Sequence, residues 1–279
     1  MNRVLKKTLL AAAVGAAMAL GTTANASVVD LFADPANFTD NTVVDTTLGG
    51  GGSFDEYGNF PLTILGGYRD LFVEVVAQGA GSTRSELTAG NGFLTFSNNA
   101  GTTGVATVQW DGNDNSSVLD LDGLNGANLV AQVGCPLSGC TQFNAEILFA
   151  DLGFGYSLTV VDMAGRIATL ESLSVNAVPP AEVASYEFAW FNLADGQYFI
   201  DGLPFEITRT GVLAGDVDFA SVGALQFQIN GPGNPYADQT ISVDLTLGSI
   251  TKSGVPEPGT LALAGLALMG MAGLRRRKA

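Results

Sequence analysis

Leu225-Gln226-Phe227-Gln228-Ile229-Asn230 alternates an apolar residue with an amide at every step. A period of two puts Leu225, Phe227 and Ile229 on one face of an extended strand and the amides on the other. That pattern suits an antiparallel sheet with one face packed on a core. It recurs on either side. In Ser185-Tyr186-Glu187-Phe188-Ala189-Trp190-Phe191, the residues Tyr186, Phe188 and Trp190 share a face. In Ile241-Ser242-Val243-Asp244-Leu245-Thr246-Leu247, the residues Ile241, Val243, Leu245 and Leu247 point inward. Comparable runs occupy 71–77, 92–97, 104–110, 128–133, 143–150, 155–162 and 166–175. Turn pairs separate them: Asn91-Gly92, Asp111-Gly112, Asp122-Gly123, Asn125-Gly126, Asp195-Gly196 and Asp201-Gly202, with Gly231-Pro232-Gly233-Asn234-Pro235 further on. Such pairs supply the positive φ that tight hairpins require. No long stretch shows the 3.6-residue period of an amphipathic helix. The body is therefore all-β, an antiparallel β-sandwich, and jelly-roll-like because its strands outnumber those of a simple seven-stranded sandwich. The run Leu48-Gly49-Gly50-Gly51-Gly52-Ser53 is the expected flexible loop, setting an N-terminal strand apart from the rest.

Composition narrows the chemistry. The chain has 279 residues, 47% hydrophobic and 14% charged, with 27 acids, 12 bases and no histidine. That much apolar surface separates it from disordered chains. Without histidine, Ser-His-Asp and Cys-His catalysis and most zinc sites are excluded. A net charge of −15 argues against a nucleic-acid partner, whose phosphates it would repel.

The charges are unevenly placed. Arg3, Lys6 and Lys7 open the chain, an apolar run follows from Thr8 to Gly21, and Ala24-Asn25-Ala26 closes the segment. A basic head, an apolar core and an A-x-A site make a secretory signal peptide over residues 1–26, cleaved after Ala26. At the other end, Val255-Pro256-Glu257-Pro258 precedes an apolar run over 259–274, and Arg275-Arg276-Arg277-Lys278 lies just beyond it. This reads as a single transmembrane helix whose basic tail stays on the cytoplasmic side. The prolines keep the backbone before it extended, as a membrane protease or transpeptidase needs. Between the two segments, residues 27–254 hold 26 acids against 5 bases, a net −21.

The C-terminal segment resembles the PEP-CTERM sorting signal of Gram-negative bacteria, through Pro256, Glu257 and Pro258 as recognition motif and Arg275, Arg276, Arg277 and Lys278 as stop-transfer cluster. The resemblance covers 255–279 only. It implies an integral-membrane exosortase as partner, an inner-membrane-tethered intermediate, and delivery to the envelope or an extracellular matrix. Hosts of that family are typically exopolysaccharide and biofilm producers. The expected organisation is a signal peptide (1–26), a secreted β-sandwich domain (27–254) and a sorting signal with its helix and basic tail (255–279).

Within the body, Cys135 and Cys140 flank a Pro/Gly loop and are expected to form one local disulfide in an oxidising compartment. The densest set of oxygen ligands lies between Asp111 and Asp122, with Asp111, Asn113, Asp114, Asp120 and Asp122 as candidate calcium ligands. It is no EF-hand, because Ser116 and Asp122 stand where Gly and Glu are needed and no helices flank it. An Asx-rich turn after Trp110 explains the same residues without a metal. No other cofactor is expected. Glu146, Glu171, Glu187 and Glu206 lie in or near strands and could supply a hydrolytic carboxylate pair, though solvated strand faces explain them too. Trp110, Trp190, Tyr68, Tyr198 and Tyr236 could stack on sugar rings, with Tyr236 and Trp110 as the named candidates, against the alternative that they fill the core. Three functions remain: a non-enzymatic exported surface or matrix protein associated with exopolysaccharide or biofilm, a carbohydrate-binding module with or without calcium, and a secreted glycoside hydrolase.

Overall fold

In the computed structural model, residues 27–33, 41–81, 83–130, 142–179, 184–189, 194–200, 203–213, 215–231 and 242–253 are described. Their strands are β1 (Ser27–Asp30), β2 (Asn41–Asp45), β3 (Ser53–Gly58), β4 (Tyr68–Gln78), β5 (Ser85–Gly90), β6 (Phe93–Asn98), β7 (Thr102–Trp110) and β8 (Gln142–Ala150). They continue with β9 (Phe154–Asp162), β10 (Arg166–Val175), β11 (Ala184–Ala189), β12 (Gly196–Ile200), β13 (Leu203–Gly211), β14 (Val222–Ile229) and β15 (Leu245–Ser253). One sheet runs β11-β8-β15-β6-β5-β2, with β1 also paired to β15, and the other runs β12-β13-β10-β9-β14-β7-β4-β3. The pairings are antiparallel, so the all-β expectation holds, and the architecture includes a curled half-barrel. The expected sorting helix, signal peptide and cysteine pair lie outside the described residues.

Alternation decides which face is buried. Leu71, Val108, Phe227, Leu158, Leu170 and Ile207 follow one another in register across β4, β7, β14, β9, β10 and β13. All are at most 2% exposed. They join Leu87, Phe96, Ile147 and Leu245 of the other sheet in one core. Burying each such side chain contributes roughly 1.5–3 kcal/mol. The residues between them in sequence project from the opposite face of the larger sheet.

The run Leu48–Ser53 is an exposed loop that separates β2 in one sheet from β3 in the other, with Ser53 already opening β3. A Cβ on Gly52, whose φ is +75°, would stand 2.4 Å from the Phe72 ring. Two local expectations change. Residues 128–130 are not a strand, because Leu129 N–H donates to the Phe219 carbonyl in an irregular segment. Residues 242–244 also precede their strand. There side chains replace the ladder: Asn98 Nδ2 donates to the Val243 carbonyl and Asp244 N–H to Asp151 Oδ1.

The β9–β10 connection shows how one carboxylate holds a turn. Asp162 accepts N–H groups from Ala164, Arg166 and Asp218 at 2.9 Å each, and the Arg166 guanidinium at 2.5 Å. Burial pushes this carboxyl up, but the Asp218 and Arg166 N–H groups and the Arg166 side chain outweigh it and leave the group below its ordinary value. Stability from a depressed carboxylate is present above the unfolded value of 3.8 and lost as pH falls through the folded one. Asp162→Ala should therefore cost about 2 kcal/mol near pH 7. Urea unfolding across pH should show that cost shrinking below about pH 4.

Candidate functional site

The outward face of the larger sheet is polar in two continuous rows. One runs Glu56, Asp70, Gln109, Gln226, Thr159, Thr169, Thr208 across seven neighbouring strands. The next, two residues along each strand, runs Thr107, Gln228, Ser157, Glu171, Glu206, Gln197. Cross-strand bonds knit them: Gln109 Nε2 donates to Gln226 Oε1 at 3.0 Å and Gln228 Nε2 to Thr107 Oγ1 at 3.1 Å. Thr159 and Thr169 share a hydroxyl bond at 3.0 Å. The amides that alternate in the 225–230 segment thus belong to a single face of donors and acceptors.

The two ends of this face are acidic. At one, Glu171 and Glu206 stand directly opposite each other on β10 and β13. Burial, then the Glu206 charge, raises the Glu171 carboxyl. Of the other hydrolytic candidates, Glu146 is exposed on β8 of the smaller sheet, and Glu187 lies on β11 beside it. The four candidates therefore divide between two sheets.

At the other end, Glu56 and Asp70 oppose each other on β3 and β4, an arrangement that is unfavourable for like charges. The loop after β7 folds over them. Its backbone is tied to Glu56, whose Oε2 accepts N–H from Asp114 at 2.9 Å and Asn115 at 2.7 Å. Its far limb is tied to Asp111, whose Oδ2 accepts Asp120 N–H at 2.8 Å. Carboxylate oxygens of Glu56, Asp70 and Asp114 all fall within 4.8 Å of one another. At that separation each charged pair repels by on the order of 3 kcal/mol at an effective dielectric of about 20. Asp70 is pushed up to about 9 by burial first, then by the adjacent Asp111 carboxyl and by the Asp111, Glu56 and Asp114 charges. Burial raises Asp111 and Asp114 as well. The donor set, carboxylates without nitrogen or sulfur, suits a hard divalent cation.

Of the calcium ligands named from sequence, Asp111 and Asp114 reach this cluster. Asp120 and Asp122 instead interact with each other, Asp122 N–H donating to Asp120 Oδ1 and the Asp122 carboxyl raised by Asp120. Asn113 is exposed on the loop. Glu56 and Asp70 escaped sequence reasoning because they lie 14 residues apart on strands whose register is set by the fold.

Trp110 is corrected outright. It is fully buried and its Nε1 donates to Asp30 Oδ2 at 3.0 Å, so it offers no stacking face. Tyr198 is half-buried against Phe205, with ring centroids 5.4 Å apart. Tyr236 and Trp190 lie outside the described residues.

No curated protein matches the chain. Among solved structures, an exo-beta-agarase is 9% identical with a TM-score of 0.38, over 84% of this chain and 25% of that one. The family 11 carbohydrate-binding module of the cellulosomal cellulase Lic26A-Cel5E of Clostridium thermocellum is 9% identical with a TM-score of 0.32, over 84% of this chain and 97% of that one. The chain spans about a quarter of the length of this agarase, of a second agarase and of a further solved structure it matches. Scores this low leave activity to be argued from the residues. At the C-terminus the match is to a sequence family: residues 254–278 fit the model of the PEP-CTERM protein-sorting motif, and the chain carries that sorting signal.

Proposed function

We propose that this chain is a non-enzymatic surface or extracellular-matrix protein of a Gram-negative bacterium, released by an exosortase and associated with exopolysaccharide in a biofilm. The sorting motif at 254–278 is the observation that carries the reading, since it implies export and a membrane-anchored intermediate. The body fits that destination. At −21 it stays soluble outside the cell, and its acidic surface favours divalent ions as the link to acidic polymers. A second reading, a carbohydrate-binding module, is favoured by the two polar rows, because amides and hydroxyls pair with sugar hydroxyls as both donors and acceptors. Glycoside hydrolysis has less support: Glu171 and Glu206 stand side by side on one sheet face rather than across a cleft.

One experiment tests both parts. Cells producing the wild type and the Pro256→Ala/Glu257→Ala variant are fractionated, and the released protein is sedimented with the host exopolysaccharide. The variant should remain in the inner-membrane fraction, with release reduced at least tenfold. Equal release would reject the sorting role of the motif. Wild-type protein that is released but never sediments with polysaccharide, with or without calcium, would reject the association.

A further inference from the structure

Asp70 is a carboxylate that the fold buries without giving it a donor. It is 1% exposed, and among the described residues no N–H or O–H bonds to Oδ1 or Oδ2. Asp111 Oδ1, 1% exposed at the residue level, is in the same position. Buried polar groups are nearly always satisfied, and two adjacent acids that are not point to a missing positive partner. Among the described side chains, the body's cations are engaged elsewhere. Arg69 bonds Asp30, Arg84 bonds Glu86, Arg166 bonds Asp162, Arg209 bonds Asp195 and Asp216, and Lys252 stands on β15 of the other sheet.

The loop is built around the same point. Residues 111–123 leave and return at one place, closed by Asp111 and Gly123, as in a compact Ω-loop. The loop covers Asp70 on the outer sheet face while contributing Asp111 and Asp114 from its own first turn. Glu56 ties it down from β3 through two backbone N–H groups, which occupy one of its oxygens and leave Oε1 uncommitted to them.

We infer that Glu56, Asp70, Asp111 and Asp114 bind a calcium ion that clamps the 111–123 loop onto β3 and β4. Calcium takes six to eight oxygens at flexible geometry, so carboxylates from two strands and a loop can be completed by water. Magnesium demands a tighter octahedron and keeps its water, and zinc prefers nitrogen and sulfur. Modules working outside cells bind calcium at roughly 10⁻⁴–10⁻³ M, the range expected of this exposed-rim site.

The test uses the exported full-length protein, purified in detergent, with calcium chloride titrated calorimetrically and thermal unfolding followed at pH 7.5. Wild type should bind one calcium ion and gain several degrees in Tm, reversed by EDTA. Asp70→Asn keeps the shape and the neutrality of the protonated acid present at pH 7.5 without calcium, so it should unfold no earlier than wild type in EDTA yet lose the calcium response. Glu56→Gln should weaken binding at least tenfold, whereas Glu86→Gln, on β5, should leave it intact. No heat and no Tm shift in wild type, or an unchanged response in Asp70→Asn, would overturn the site. An equal shift from magnesium chloride at the same concentration would overturn the assignment to calcium.

Discussion

Asp30→Ala should destabilise the body by about 3–5 kcal/mol, the cost of leaving a buried charge without its partner. Asp30 and Arg69 are both fully buried, and Arg69 NH1 donates to both carboxylate oxygens at 3.0 Å. Asp30 Oδ1 also accepts Phe32 N–H at 2.7 Å, and Oδ2 accepts Trp110 Nε1. The guanidinium lies 5.6 Å from the ring centroids of both Phe32 and Tyr57. Burial drives the Asp30 carboxyl above its ordinary value, opposed first by the Arg69 charge and then by these N–H groups. The knot ties β1 of the smaller sheet to β4 and β7 of the larger one, so its loss acts on the sandwich as a whole. Since domains are stable by about 5–15 kcal/mol, the variant should show a sharply lowered denaturant midpoint. The double replacement Asp30→Leu/Arg69→Met should recover most of the loss, because an apolar pair needs no compensation. A loss under about 1 kcal/mol for Asp30→Ala would mean that Arg69 finds solvent instead.

This knot shows where sequence reasoning ends. The faces of β14 were legible because Leu225, Phe227 and Ile229 alternate with amides over six residues, and one buried face is enough to produce that pattern. The β5–β6 hairpin was legible because Asn91 and Gly92 adopt the positive φ values, 54° and 87°, that their side chains permit. The strands that escaped notice, such as β3 with Ser-Phe-Asp-Glu-Tyr-Gly, mix polar and aromatic residues on both faces and carry no period. β7 alternates Ala106, Val108 and Trp110 with Thr107 and Gln109, which puts Trp110 on the core face, but that its outer face is buried as well shows only in the fold. The acidic loop was legible as a set of ligands, but not its second half. Glu56 and Asp70 become neighbours only through the β3–β4 register, in which Gly58 meets Tyr68 across the connection formed by residues 59–67. Arg69, one of five body cations in the sequence, gave no sign of being the buried one.

Gly123→Ala should produce the second large effect, and it joins the stability of the loop to its proposed occupant. A Cβ at Gly123 would lie 1.4 Å from the Asp111 carbonyl oxygen and 2.5 Å from its carbon. Those are backbone atoms, so no rotamer change relieves the clash, and one limb of the loop must move. The opposing residue is constrained as well: Gly112 has φ +101°, and its own Cβ would stand 2.6 Å from the Gly123 carbonyl oxygen. The expected cost is about 3 kcal/mol, at the upper end for overpacking. Gly92→Ala is the matched comparison, with φ +87° but nothing within 4 Å of its Cβ, and should cost only the left-handed strain of about 1–2 kcal/mol. Because Asp111 sits at the pinch, separating the two limbs also moves it relative to Asp70. Gly123→Ala should therefore lose the calcium-induced rise in Tm, whereas Gly92→Ala keeps it. If Gly123→Ala unfolds early yet retains the full calcium shift, the pinch supports the loop but does not position the ligands.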